Sequence, residues 1–179
     1  STSQPESISE NVSEYVSEIE SIKAEADLLR QKLRFEDAVK KYSQALALLK
    51  NAGGIHKLPA LQDLEIGLLN DRAECLRYIG QYQSAANDLI TIANLANELA
   101  DLAKQADALI HRAELLALMG DVSAVQEAGE ALTLARETGI SNLICAGLVT
   151  LGDALMRISD YSRAPAPLAC GAHGCHYVL

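Results

Sequence analysis

A pair of small or slim residues twelve positions apart recurs four times along the chain: Ala26 and Ala38, Ala73 and Ala85, Ala113 and Val125, Gly152 and Ala164. Each first member comes four positions after an apolar residue (Ile22, Leu69, Leu109, Leu148) and three before a leucine (Leu29, Leu76, Leu116, Leu155). Small residues in register let two helices approach closely, and the flanking apolar residues fill the seam between them. One such unit cannot bury its apolar face alone, so successive units must stack. The spacing therefore predicts an all-α chain, an α-α superhelix: a solenoid of antiparallel helix hairpins.

The helices that carry the pattern are predicted at residues 5–33, 35–50, 60–79, 82–100, 102–119, 122–138 and 141–158. In the first, Ile8, Val12, Tyr15, Val16, Ile19 and Ile22 recur at three- and four-residue spacing, the period of an amphipathic helix. Pro5 and Glu6 suit its start. Gly80, Gly120 and Gly139 fall at breaks, where a left-handed residue ends a helix at low cost. Asp121 and Ser141 are the expected N-caps of the last two helices. Residues 51–59 form the one generous loop. The anchor spacing is 47, 40 and 39 residues between successive units, long for a minimal hairpin repeat of roughly 34 residues. The chain thus divides into three regions: an amphipathic acidic extension or cap (1–18), the repeats (19–55, 60–100, 102–139 and an incomplete 141–163), and an irregular tail (164–179).

Charge narrows the function classes. Fifteen Lys and Arg stand against 24 Asp and Glu, a net charge of −9, whereas nucleic-acid binding needs clustered cations. No stretch reads as a run of about twenty apolar residues, so no membrane partner is expected. The Ser-rich, acidic start is unlike a leader peptide. Cys75 and Cys145, at unrelated helix positions, are expected to be reduced, buried thiols. Together these features lead us to expect an intracellular, cytoplasmic protein, with the nucleus left open.

These columns resemble the tetratricopeptide repeat, a helical-hairpin family with the pattern W-x2-L-G-x2-Y, then A-x3-F. The segment FEDAVKKYSQALAL, with Phe35, Ala38, Tyr42 and Ala45, carries the most specific match, and Leu151–Gly152 with Leu155 gives the Leu-Gly step. Phe35, Tyr82, Val122 and Tyr161 hold the turn position before each small residue. The resemblance covers about residues 19–164 and is to the longer-helix variety with units of about 40 residues. It departs in having no Trp and in Gly129 where an aromatic belongs.

The resemblance implies a concave groove lined by the first helix of each hairpin, in which a peptide or partner helix is held. On that reading the residue after each first anchor faces the groove. Those residues are Asp27, Glu74, Glu114 and Asp153, an acidic column. The full groove set implied is Asp27, Arg30, Asp71, Glu74, Arg77, Tyr78, Asp107, His111, Glu114, Asp153 and Arg157. The column either receives basic groups of a partner or pairs within its own helices, as Asp27–Arg30, Glu74–Arg77 and Asp153–Arg157. A chaperone carboxyl-terminal clamp of this family needs cations and asparagines. The matching columns here are Lys23, Asp27, Asp71, Asp107 and His111, which would repel a carboxylate.

The tail, APAPLACGAHGCHYVL, has no Asp, Glu, Lys or Arg, and Pro165 and Pro167 interrupt the place of a final helix. Cys170, His173 and Cys175 are soft ligands for zinc, but lack the separated ligand pairs of a structural site. No phosphate loop and no nucleophile motif is present, so no cofactor, no catalytic residue and no enzyme activity is expected. The expected function is a non-catalytic scaffold that binds a protein partner with basic or polar and apolar residues and helps assemble a complex. The alternatives are a self-associating structural domain (a homo-oligomer) and a regulatory repeat segment of a larger enzyme.

Overall fold

The chain is described by a computed structural model over residues 5–51 and 58–163, with side chains over 13–51 and 58–159. Seven helices and no strand occur among the described residues: α1 (Pro5–Gln31), α2 (Phe35–Asn51), α3 (Pro59–Tyr78), α4 (Tyr82–Glu98), α5 (Leu102–Leu118), α6 (Ser123–Thr138) and α7 (Ser141–Arg163). Each packs on the next in sequence, and α5 also packs on α7.

The same turn closes four of the junctions. Between α1 and α2, the Leu33 amide donates to the Arg30 carbonyl and the Arg34 amide to the Leu29 carbonyl. The identical pair of bonds recurs at Gly80 and Gln81, at Ala100 and Asp101, and at Gly120 and Asp121. This is the paired-bond helix stop that needs a left-handed residue. Gly80, Gly120 and Gly139 supply one, as expected, but Leu33 (φ 58°) and Ala100 (φ 55°) adopt the same conformation with a side chain. The capping expectation needs correcting. Asp121 Oδ1 accepts from the Ser123 amide at 2.9 Å, but α6 starts at Ser123 and its capping position is Val122. Ser141 is the first residue of α7, and the Ile140 amide before it donates to Thr138 Oγ1. Asp101, not singled out in the sequence, caps α5 by accepting from the Lys104 amide.

The anchor columns are where the core lies. Ala26, Ala38, Ala85 and Ala113 are fully buried and Ala73 nearly so. Tyr42, Leu68, Ile110 and Leu115 fill the seams beside them, each worth about 1.5–3 kcal/mol on full burial. In the third unit Val125 is only partly buried, and Ala124 beside it is fully buried. In the fourth the column fails. Gly152 is exposed, as are Leu148 (48%) and Leu155 (52%), because no described helix comes after α7 to cover them. The close approach of α7 is made instead by Gly147, where a Cβ would meet the Leu132 Cα at 3.2 Å. Ala164 lies outside the described residues.

Two further expectations are corrected. Cys75 is buried but Cys145 is exposed, since it sits on the uncovered side of α7. Ser141–Ser159 of α7 is, by length and composition, long and apolar enough to cross a membrane. Alternating small and large apolar residues hide this run from a search for bulky side chains. The same helix carries Asp153 and Arg157 and buries Thr150 and Ala154.

Candidate functional site: a polar seam across α1, α3, α5 and α7

Side chains from the odd-numbered helices meet in one polar seam. On α1, Lys23, Asp27 and Arg30 succeed each other at i+4 and i+3, and therefore share a face. Lys23 Nζ donates to Asp27 at 2.8 Å and lies 3.1 Å from Asp71 of α3. Arg30 crosses the same gap, reaching Asp71 at 3.0 Å and Glu74 at 2.7 Å. The buried Tyr42 hydroxyl closes the other side by donating to Asp27. Burial would lower the Lys23 pKa, but the two aspartates outweigh it and hold the ammonium above its usual range. Burial likewise opposes ionisation of Asp27, and the bonds from Lys23 and Tyr42 overcome it, so its pKa falls. Tyr42, desolvated and bonded to Asp27, is shifted far up.

Past Glu74 the seam opens into a cavity of about 290 Å³ between α3 and α5. Asn70, Ala73, Glu74 and Arg77 line it from α3, His111, Glu114 and Leu115 from α5, and Leu89 from α4. His111 Nδ1 lies 3.3 Å from Glu114 Oε2, and its Nε2 lies 3.8 Å from Asp107. The Glu114 bond is the main reason the His111 pKa is raised; burial opposes it, and the Asp107 charge adds to the rise. Glu114 is lowered by the same bond, against burial, with help from Thr150 of α7, whose hydroxyl donates at 3.2 Å.

Exposure separates the carboxylates that are spent from those that are accessible. Asp71 and Asp27 side chains are 16% and 28% exposed and enclosed by cations, whereas Glu74 and Glu114, although bonded to Arg30 and to His111 and Thr150, are 42% and 41% exposed on the cavity rim. Three fixed cations, Lys23, Arg30 and Arg77, face five carboxylates, Asp27, Asp71, Glu74, Asp107 and Glu114. The seam is negative overall, and its accessible charge is concentrated at the cavity.

Four residues of the groove set, Glu74, Arg77, His111 and Glu114, thus line one cavity. Asp27, Arg30 and Asp71 form the adjoining network, and Asp107 sits beside His111. Tyr78 does not line the cavity: its ring stacks on Phe35 with centroids 4.7 Å apart, and the Arg77 guanidinium lies 5.6 Å from it. Asp153 and Arg157 are exposed on α7 and make no ion pair with each other. Nor does Glu74 pair with Arg77; its partner is Arg30 on the neighbouring helix, while Asp27–Arg30 is a loose contact at 3.9 Å. The sequence reading missed Asn70, although it shares a helix face with Glu74 at i+4 and Arg77 at i+7. It also missed the cross-helix pairs Arg72–Asp88 and Arg112–Glu127. Cys170, His173 and Cys175 lie outside the described residues.

No known family pattern matches the chain, and no curated protein matches it in sequence.

Proposed function

We propose that this chain is a non-catalytic interaction module of the tetratricopeptide-repeat type: a right-handed solenoid whose concave side is the polar seam. A partner peptide or helix lies across α3 and α5, with a basic side chain seated between Glu74 and Glu114. The observation that carries this reading is the cavity between those helices, which combines two accessible carboxylates with an apolar floor of Ala73, Leu89 and Leu115. A floor of that kind accepts the aliphatic stem of a Lys or Arg while the carboxylates meet its charge. The chaperone-carboxylate alternative loses its one matching cation, because Lys23 is already held by Asp27 and Asp71.

Affinity capture from cell extract tests the reading with the wild type and a Glu74→Lys/Glu114→Lys variant side by side. The expected result is a partner retained by the wild type and lost by the variant, at unchanged helical circular dichroism. Equal retention by both overturns the seam as the binding surface.

A further inference from the structure

Every charged group that lines the α3–α5 cavity meets an opposite charge, with one exception. Glu74 lies 2.7 Å from Arg30, and His111 and Glu114 lie 3.3 Å from each other. Arg77 is exposed on the rim and makes no ion pair among the described residues. Its guanidinium instead lies 5.6 Å from the Tyr78 ring centroid, and that ring is fixed in turn by its stack on Phe35. Contact with a ring face uses the cation's charge and not its hydrogen-bond donors, so the five N–H groups of the guanidinium are left for another acceptor. Arg77 is also near the facing helix: the Glu114 carboxyl, held low chiefly by its bond to His111, is lowered further by the Arg77 charge.

We infer that the partner segment carries two opposite charges: a Lys or Arg for Glu74 and Glu114, and an Asp or Glu within four positions of it for Arg77. This pairing rests on the α3–α5 cavity being the partner's seat, as proposed above. The spacing comes from α3, where Glu74 and Arg77 are three residues apart, a rise of about 4.5 Å. Groups one turn apart on a partner helix, at three or four positions, meet both, as do alternate residues of an extended peptide about 6.6 Å apart. The room is sufficient. A cavity of about 290 Å³ is the space of about ten liquid waters, which the four methylenes and ammonium of one lysine do not fill. Arg77 thereby sets a selectivity that the net charge of −9 does not. A segment basic throughout would set a cation against the guanidinium, where like charges repel, so an uninterrupted basic run is disfavoured.

Random sixteen-residue peptides displayed and selected on the full chain supply the probe, and fluorescence polarisation of the enriched peptides reads their affinity. The wild type should enrich peptides with a Lys or Arg and an Asp or Glu two to four positions apart. Arg77→Glu should weaken these peptides at least about tenfold, because like charges then meet, and exchanging the peptide's acidic residue for Lys should restore affinity for that variant. Arg77 is exposed, so the substitution leaves the helices intact, which circular dichroism checks. Enriched peptides that are basic with no acidic preference, bound equally by the wild type and Arg77→Glu, would overturn the charge pairing and leave the groove standing. So would a loss that the peptide exchange does not restore. Peptides bound equally by Glu74→Lys/Glu114→Lys, or no enrichment at all, would overturn both the pairing and the groove.

Discussion

Replacing Asp88 with alanine removes the carboxylate that holds the Arg72 guanidinium between α2, α3 and α4. Arg72 donates to Asp88 through Nε at 2.8 Å and Nη2 at 2.6 Å, and through Nη1 to the Ser43 hydroxyl at 3.0 Å. The Asp88 side chain is 8% exposed and that of Arg72 22%. Losing one partner of a buried pair costs about 3–5 kcal/mol, most of it from the charge left without a counterpart. Arg72 keeps Ser43 and gains some water at its exposed edge, which places Asp88→Ala at the lower end, about 3 kcal/mol. For a chain of this size that is a fall in midpoint temperature of roughly 6–12 °C. Asp88→Asn keeps the shape and one acceptor and should lose about half as much. The double replacement Arg72→Met/Asp88→Leu leaves no stranded charge and should lie within about 1 kcal/mol of the wild type. Urea denaturation followed at 222 nm reads all four proteins. If Asp88→Ala costs under about 1 kcal/mol, or if the double replacement costs as much as Asp88→Ala, the pair is not the clamp described here. The position bears on the proposed groove because α3, which Arg72 anchors, also carries Asn70, Glu74 and Arg77.

Two other predictions concern charge and backbone. The raised His111 pKa stabilises the fold fully below its ordinary value of 6.5, and this is lost as pH rises through the folded value. The lowered Glu114 pKa stabilises the fold above its ordinary 4.5, and this is lost as pH falls through the folded value. The pair therefore contributes most between pH 4.5 and 6.5. His111→Asn should remove about 0.3 kcal/mol inside that window and less above it, which denaturation across a pH series checks; a constant difference at all pH values would contradict the assignment. Leu33 is 73% exposed yet holds φ at 58°, so Leu33→Gly should gain about 0.5–1 kcal/mol by relieving that conformation. A lower midpoint temperature in the glycine variant would count against the strain.

Much of the fold was legible because the residues that define it are local. The α2 helix opens at Phe35, where its apolar period begins, and α3 runs from Pro59 to Tyr78 because proline opens it and Gly80 stops it. The turns at Leu33 and Ala100 carried no glycine signal, yet the same hydrogen bonds form, since tertiary packing outweighs a cost of about 1–2 kcal/mol. The site was legible only in part. A register counted from Ala73 and Ala113 is enough to place Glu74 and Glu114 on corresponding faces. Which cation each carboxylate meets depends on how neighbouring helices are rotated against each other. Arg30 and Glu74 are 44 residues apart, and nothing in either local sequence pairs them. The bare face of α7 shows the same limit from the other side. Leu148 and Leu155 fit the column, and they are exposed only because no further helix covers them among the described residues.

The central claim is that a partner lies against the cavity between α3 and α5. A photo-reactive amino acid at Asn70, on the cavity rim, tests it most directly when compared with one at Gln126, on the α6 side of the fold. Illumination in cell extract should couple a partner to the Asn70 protein and not to the Gln126 protein, and Glu74→Lys/Glu114→Lys in the same chain should abolish the product. Equal coupling at both positions, or coupling that survives the double substitution, would contradict it.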